Sequence, residues 1–184
     1  MNRPEIESRA QAVLWQAGAL SAPVDLPRVV QSLGAQLHFQ PLEPHVSGVL
    51  AIQGGVKHIL INNAHHPNRQ RFTIGHECGH LVLHHQEGDQ LFIDTQLRVY
   101  QRVGVPSSEV YASGAASTSP QQEREANQFA SALVMPAPLI LERISNPAGV
   151  IDEEDVSALA HVFGVSEQAM SIRLQHLGLL HVQS

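Results

Sequence analysis

The chain has 184 residues, of which 43% are apolar and 15% charged, and a formal net charge of −6 with its histidines neutral. These values fit a globular domain with a sizeable core, alone or with a small appendage, and exclude an intrinsically disordered chain. No apolar run approaches the roughly 20 residues of a membrane-spanning helix, and Lys57, the one lysine, together with scattered arginines forms no basic cluster of the kind that phosphate neutralisation on DNA needs.

The first ten residues carry Arg3, Glu5, Glu7 and Arg9 with no apolar stretch behind them, unlike a secretory leader. Cys78 is the single cysteine, so no intrachain disulfide can form. Together these features point to a cytoplasmic protein.

Residues 4–17 have a helical rhythm, with Ile6, Val13, Leu14 and Ala17 on one side. Val24 to Leu33 reads as a second helix closed by Gly34. Ala35 to Phe39 alternates like a strand. Val46 to Ile52 and Val56 to Ile61 flank Gln53-Gly54-Gly55 and read as a β-hairpin. Asn62-Asn63 ends the sheet, Pro67 suits a helix start, and residues 68–85 fit one long helix. His65 and His66, just before it, read as solvated loop residues. Leu91 to Ile93 reads as a short strand. Residues 103–120, rich in Ser, Gly, Ala and Pro, read as a long mobile loop of the kind that often serves as a lid. Gln121 to Met135 is helical, ending at Pro136-Ala137-Pro138, and Asp152 to Leu180 reads as two short helices joined at Gly164. With no repeat or linker, the expectation is one unit over 1–184: helices and a small sheet over 1–66, a catalytic pair of helices over 67–136, and a closing pair resembling a helix-turn-helix over 150–180.

The most specific signal is His76-Glu77-Cys78-Gly79-His80. Two histidines four apart on a helix lie about 5–6 Å apart on one face. They can share a divalent metal, with the adjacent glutamate reaching a water activated by that metal. This is the H-E-x-x-H arrangement of zinc-dependent hydrolases. A catalytic zinc takes three protein ligands and leaves a position open, so a further donor must come from another element. The segment 121–130 offers Glu123 and Glu125, which point about 200° apart on a helix of 3.6 residues per turn. Glu123 shares a face with Asn127 and Ala130, through small residues that permit close helix packing. That face assigns Glu123 as the third ligand and Glu125 to solvent. Glu77 becomes the general base and acid. Cys78 faces away as a small core residue, and Gly79 lets another backbone approach. His84, one turn beyond His80, can support the site, donate a proton, or cap the helix C-terminus. Arg124, Tyr100 and Tyr111 join His84 as candidates for stabilising an oxyanion.

Two longer blocks carry a resemblance. Residues 71–84, Arg-Phe-Thr-Ile-Gly-His-Glu-Cys-Gly-His-Leu-Val-Leu-His, and residues 123–136, Glu-Arg-Glu-Ala-Asn-Gln-Phe-Ala-Ser-Ala-Leu-Val-Met-Pro, resemble blocks of the ImmA/IrrE metallopeptidases. Ser47-Gly48, Ile59 to Asn62, and Leu159 to Leu179 with Phe163-Gly164-Val165-Ser166 and Arg173-Leu174 are weaker matches along the rest of the chain. The resemblance implies an α+β, thermolysin-like zincin core, with a small antiparallel sheet packed on the H-E-x-x-H helix. It implies a gluzincin-like endopeptidase with Glu123 as the third ligand of one zinc ion, manganese being possible. It also implies a protein substrate, a helix-turn-helix repressor of the Xre type, whose cleavage relieves repression of phage, mobile-element or stress-response genes. The chain departs from the family pattern at Cys78, where an aliphatic residue is usual, and in a long stretch between His80 and Glu123.

The rival reading is a non-catalytic zinc-containing regulator, or a toxin–antitoxin component, that acts by binding the repressor. Direct DNA binding by the closing helix pair is a third. It has Arg173 as the one arginine on its recognition helix, and it is preceded by the acidic run Asp152 to Asp155.

Overall fold

A computed structural model describes residues 1–84, 90–95, 118–144 and 151–180. Helix α1 (Arg3–Ala17) opens on a capping box between Asn2 and Glu5 and stops at Gly18, whose φ of 60° is left-handed. Helix α2 (Leu26–Ser32) starts two residues later than the pattern predicts. The Asp25 side chain accepts from the amide of Arg28 at 3.1 Å, and Pro27 sits in the first turn, where its missing N–H costs nothing.

Strands β1 (Ala35–Gln40), β2 (Val46–Gln53) and β3 (Val56–Asn62) follow, then α3 (Pro67–Leu83) and β4 (Gln90–Thr95). Gly54 and Gly55, with φ of 57° and 80°, make the expected β2–β3 turn. The sheet runs β1-β3-β2-β4, with β2 antiparallel to both β3 and β4. Here the expectation of an antiparallel sheet is corrected, because β1 pairs with β3 in parallel and the sheet is mixed. Hairpin patterning identifies two arms and a turn, but not which arm docks on a preceding strand. It is β3 that becomes central, with Ile59 and Ile61 buried inward and His58 and Leu60 half-buried outward.

Helix α4 (Pro120–Val134) begins on a second capping box, Ser119 with Gln122. A short helix α5 (Ala137–Leu141) follows where the prolines were expected to end helical structure, since Pro138 lies in its first turn and does no harm there. Helices α6 (Glu153–Phe163) and α7 (Glu167–His176) complete the chain, separated at Gly164 (φ 64°) as expected. The long loop expected within 103–120 falls largely on residues outside those described.

One apolar cluster joins α1, α2, the inner face of the sheet, α3, α4 and the closing helices. Helix α3 lies on β2 and β3 on one side and on α4 on the other, and α1 packs against α4. Arg173 is buried at 2% exposure: its Nε donates to the Met135 carbonyl at 3.0 Å, and its guanidinium pairs with Glu7 of α1. The arginine that a recognition helix would offer to DNA is therefore consumed inside the fold. Among the described residues, no helix is long and apolar enough to cross a membrane.

Candidate metal centre

Helix α3 is capped by His66, whose Nδ1 accepts from the amide of Asn68 at 3.2 Å. His66 is exposed, as expected, but it has this local task. His65 is half-buried, with Nε2 at 3.2 Å from the Pro44 carbonyl. Two glycines inside α3 would each weaken a free helix by about 1 kcal/mol relative to alanine. Their use is visible in the packing. A Cβ on Gly79 would stand 3.0 Å from the Cα and carbonyl oxygen of Ala126, and one on Gly75 would stand 3.2 Å from the Cα of Ala130. Small residues on both helices thus bring α3 and α4 to backbone contact, which sets Glu123 and Asn127 beside the histidines.

The three expected donors converge. Nε2 of His76 and Nε2 of His80 are 3.0 Å apart. Glu123 places Oε2 at 3.4 Å from the first and Oε1 at 3.6 Å from the second. One donor atom from each of the three residues fits within a span of 4.8 Å. Ligands about 2.0–2.1 Å from a tetrahedral ion are roughly 3.3 Å from one another. The observed spacings bracket that value, so two imidazoles and one carboxylate fit a zinc-sized ion as three ligands.

Each imidazole is held from behind. Nδ1 of His76 lies 3.0 Å from Oδ1 of Asn127, and Nδ1 of His80 lies 3.2 Å from Nδ1 of His84. The Phe92 ring of β4 stacks on His80 with centroids 5.2 Å apart and planes at 14°. Burial alone would raise the pKa of Glu123. Its hydrogen bond to His76, the charge the imidazoles carry when protonated and a contact with Thr118 outweigh this and bring it down to about 2.

Glu77 is fully buried between α3 and the sheet. A Cβ on Gly48 of β2 would come within 2.9 Å of Glu77 Oε1 and 2.5 Å of Thr73 Cγ2, so a glycine is what makes room for this carboxylate. Cys78 is buried and faces the core as expected, and burial pushes its thiol well above the usual range.

Glu125 is corrected. The helical face assigned it to solvent, yet it is only 8% exposed and its Oε2 lies 2.9 Å from Nε2 of His84. Its Oε1 accepts from Gln121 at 3.0 Å and from the amine of Met1. A wheel drawn for one helix pair does not contain the Met1 amine, which meets this side of α4. Of the other candidates, Arg124 is exposed, with no contact to the histidines among the described residues, and Tyr100 and Tyr111 lie outside the described residues.

The family model described as the IrrE N-terminal-like domain, Peptidase_M78, matches residues 30–175, which include both motif blocks. Among curated proteins the chain is similar to the radiation response metalloprotease IrrE of Deinococcus radiodurans, 32% identical over 117 residues. That stretch covers 60% of this chain and 31% of the relative, so the chain spans about a third of that protein's length. With the family match running over most of its length and through both motif-bearing helices, the chain belongs to the ImmA/IrrE family of metallopeptidases.

Proposed function

We propose that the chain is a metal-dependent endopeptidase of the H-E-x-x-H plus Glu type, built as one thermolysin-like unit over 1–184. His76, His80 and Glu123 hold the ion, zinc in the first instance, with manganese as the alternative. The observation that carries this reading is the mutual spacing of the three donors, 3.0, 3.4 and 3.6 Å, with a buried carboxylate one residue from the first of them. When bound, the ion supplies Lewis acidity: it polarises a scissile carbonyl and lowers the pKa of water to about 7.

The protein's own groups do the rest. Asn127 Oδ1 accepts a hydrogen bond from Nδ1–H of His76, which keeps Nε2 of that ring as the donor toward the ion. Glu123 enters already ionised. Glu77 accepts the proton of the attacking water and returns it to the leaving amine, a shuttle worth about 10²–10⁴-fold in rate. Its burial against Gly48 holds the carboxylate away from bulk water.

The substrate in this proposal is a helix-turn-helix repressor of the Xre type, a choice supported by family resemblance. Helices α6 and α7 pack on the core and serve as a docking element for it, which accords with the internal pairing of Arg173. A regulator that used the ion only for folding would have no need of Glu77 beside its ligands. Glu77→Gln decides between the two readings. The variant should keep its metal and its fold but lose cleavage of a co-expressed repressor. Unchanged cleavage would remove Glu77 from the mechanism, and cleavage absent from wild type and variant alike would favour the binding regulator.

A further inference from the structure

Behind the ligand face a chain of polar contacts runs back from His80 through His84 to Glu125, and the proposed reaction uses neither of the last two. Its links are 3.2 Å from Nδ1 of His80 to Nδ1 of His84 and 2.9 Å from Nε2 of His84 to Oε2 of Glu125. All three side chains are withdrawn from solvent, at 2%, 6% and 11% exposure. A single proton arrangement satisfies both links while keeping Nε2 of His80 as a metal donor. His80 donates its Nδ1–H to His84, and His84 donates its Nε2–H to the carboxylate.

The stack on Phe92 fixes the plane of the His80 ring but not its orientation. A half-turn about the Cβ–Cγ bond would preserve that stack while exchanging each nitrogen with a carbon. A partner at Nδ1 favours the orientation that aims Nε2 at His76 and Glu123, whether or not the ion is bound. His84 is that partner, and Glu125 decides which nitrogen of His84 is left to accept. The carboxylate is itself fixed, through Oε1, by Gln121. His76 is supported differently, by the neutral amide of Asn127. A carboxylate-terminated chain is the stronger support, because a hydrogen bond to an ionised acceptor is about twice as strong as a neutral one.

We propose that Glu125, acting through His84, is the positioning residue that orients His80 for metal binding. The proposal rests on the metallopeptidase reading above and deepens it. Outer partners of this kind typically change metal affinity by about 10–100-fold.

The test is zinc affinity of the full chain by chelator competition, with the visible spectrum of the cobalt(II)-loaded protein as a second readout. Glu125→Ala and His84→Ala should each bind zinc about 10–100-fold more weakly than wild type and share an altered cobalt spectrum. The double variant should be no weaker than either single one, because both substitutions cut the same chain. Asn127→Ala acts on the other histidine, so its loss should multiply with that of Glu125→Ala. Glu125→Gln keeps an acceptor for His84 and should recover most of the affinity, which separates positioning from a general loss of packing. Affinities within twofold of wild type for Glu125→Ala and His84→Ala would overturn the proposal while leaving the metallopeptidase reading intact. So would losses that multiply in the double variant, or a Glu125→Gln protein as weak as Glu125→Ala. A wild-type chain that binds no metal would overturn both.

Discussion

Replacing Gly79 by alanine probes how α3 and α4 are held together. The new Cβ would stand 3.0 Å from the Cα and carbonyl oxygen of Ala126 and 3.3 Å from its Cβ. Ordinary carbon contacts fall at about 3.5–4.0 Å, so α4 must retreat by roughly 0.5 Å. Two effects oppose each other. Alanine gains about 1 kcal/mol over glycine in a helix interior. Overpacking a close contact costs about 1–3 kcal/mol. The obstructing atoms are backbone, in a helix that α1 packs against from another side, so the upper part of that range applies. The net loss should be about 1–2 kcal/mol, measured by urea unfolding of the metal-free protein. The same retreat draws Glu123 away from the histidines by about the tolerance of a preorganised site. Zinc affinity should then fall by about tenfold, the low end for disturbed ligand support. Gly75→Ala is the matched comparison. Its Cβ would meet Ala130 Cα and Val134 Cγ1 at 3.2 Å, and one of these is a side-chain methyl that can move. It should be nearly neutral. A Gly79→Ala protein more stable than its parent, with unchanged zinc affinity, would refute this account of the interface.

Three further outcomes follow from the same geometry. Gly48→Ala puts a Cβ 2.9 Å from Glu77 Oε1 and should cut the cleavage rate by about 10²-fold, the cost of a misplaced group, with zinc affinity changed far less; equal losses in both would mean Gly48 matters only to the fold. Glu7→Ala leaves the Arg173 guanidinium buried without its carboxylate and should destabilise by about 1.5–3 kcal/mol in denaturant unfolding, whereas a neutral result would show that the Met135 carbonyl suffices. Cys78 should resist thiol reagents in the native protein and react as one thiol per chain in denaturant, since burial raises its pKa and hides it; fast native reaction would contradict that burial.

Much of the site was legible because helix geometry is local. The spacing of His76 and His80 places two imidazoles on one face whatever surrounds them, and the same periodicity separates Glu123 from Glu125. Gly79 announced a close approach because nothing else in a helix interior recommends a glycine. What periodicity could not reach was the third layer. Glu125 meets the amine of Met1, Arg173 reaches Glu7 from the far end of the chain, and β1 pairs with β3 in parallel. Each depends on which surface packs against which, and no window of ten or fifteen residues contains that. The short helix α5 was hidden differently: Pro136 and Pro138 read as breakers, yet a proline in a first turn is compatible with helix. For Glu125 a signal was present in retrospect, since His84 extends the histidine face by one turn and a buried imidazole there needs an acceptor.

The central claim is that side chains from α3 and α4 together hold one ion. Anomalous diffraction from crystals grown with zinc, recorded on either side of the zinc edge, tests it most directly. One strong peak is expected per chain, about 2.0–2.1 Å from Nε2 of His76, Nε2 of His80 and a carboxylate oxygen of Glu123. A well-ordered site with no peak there, or a peak whose ligands exclude Glu123, would contradict it.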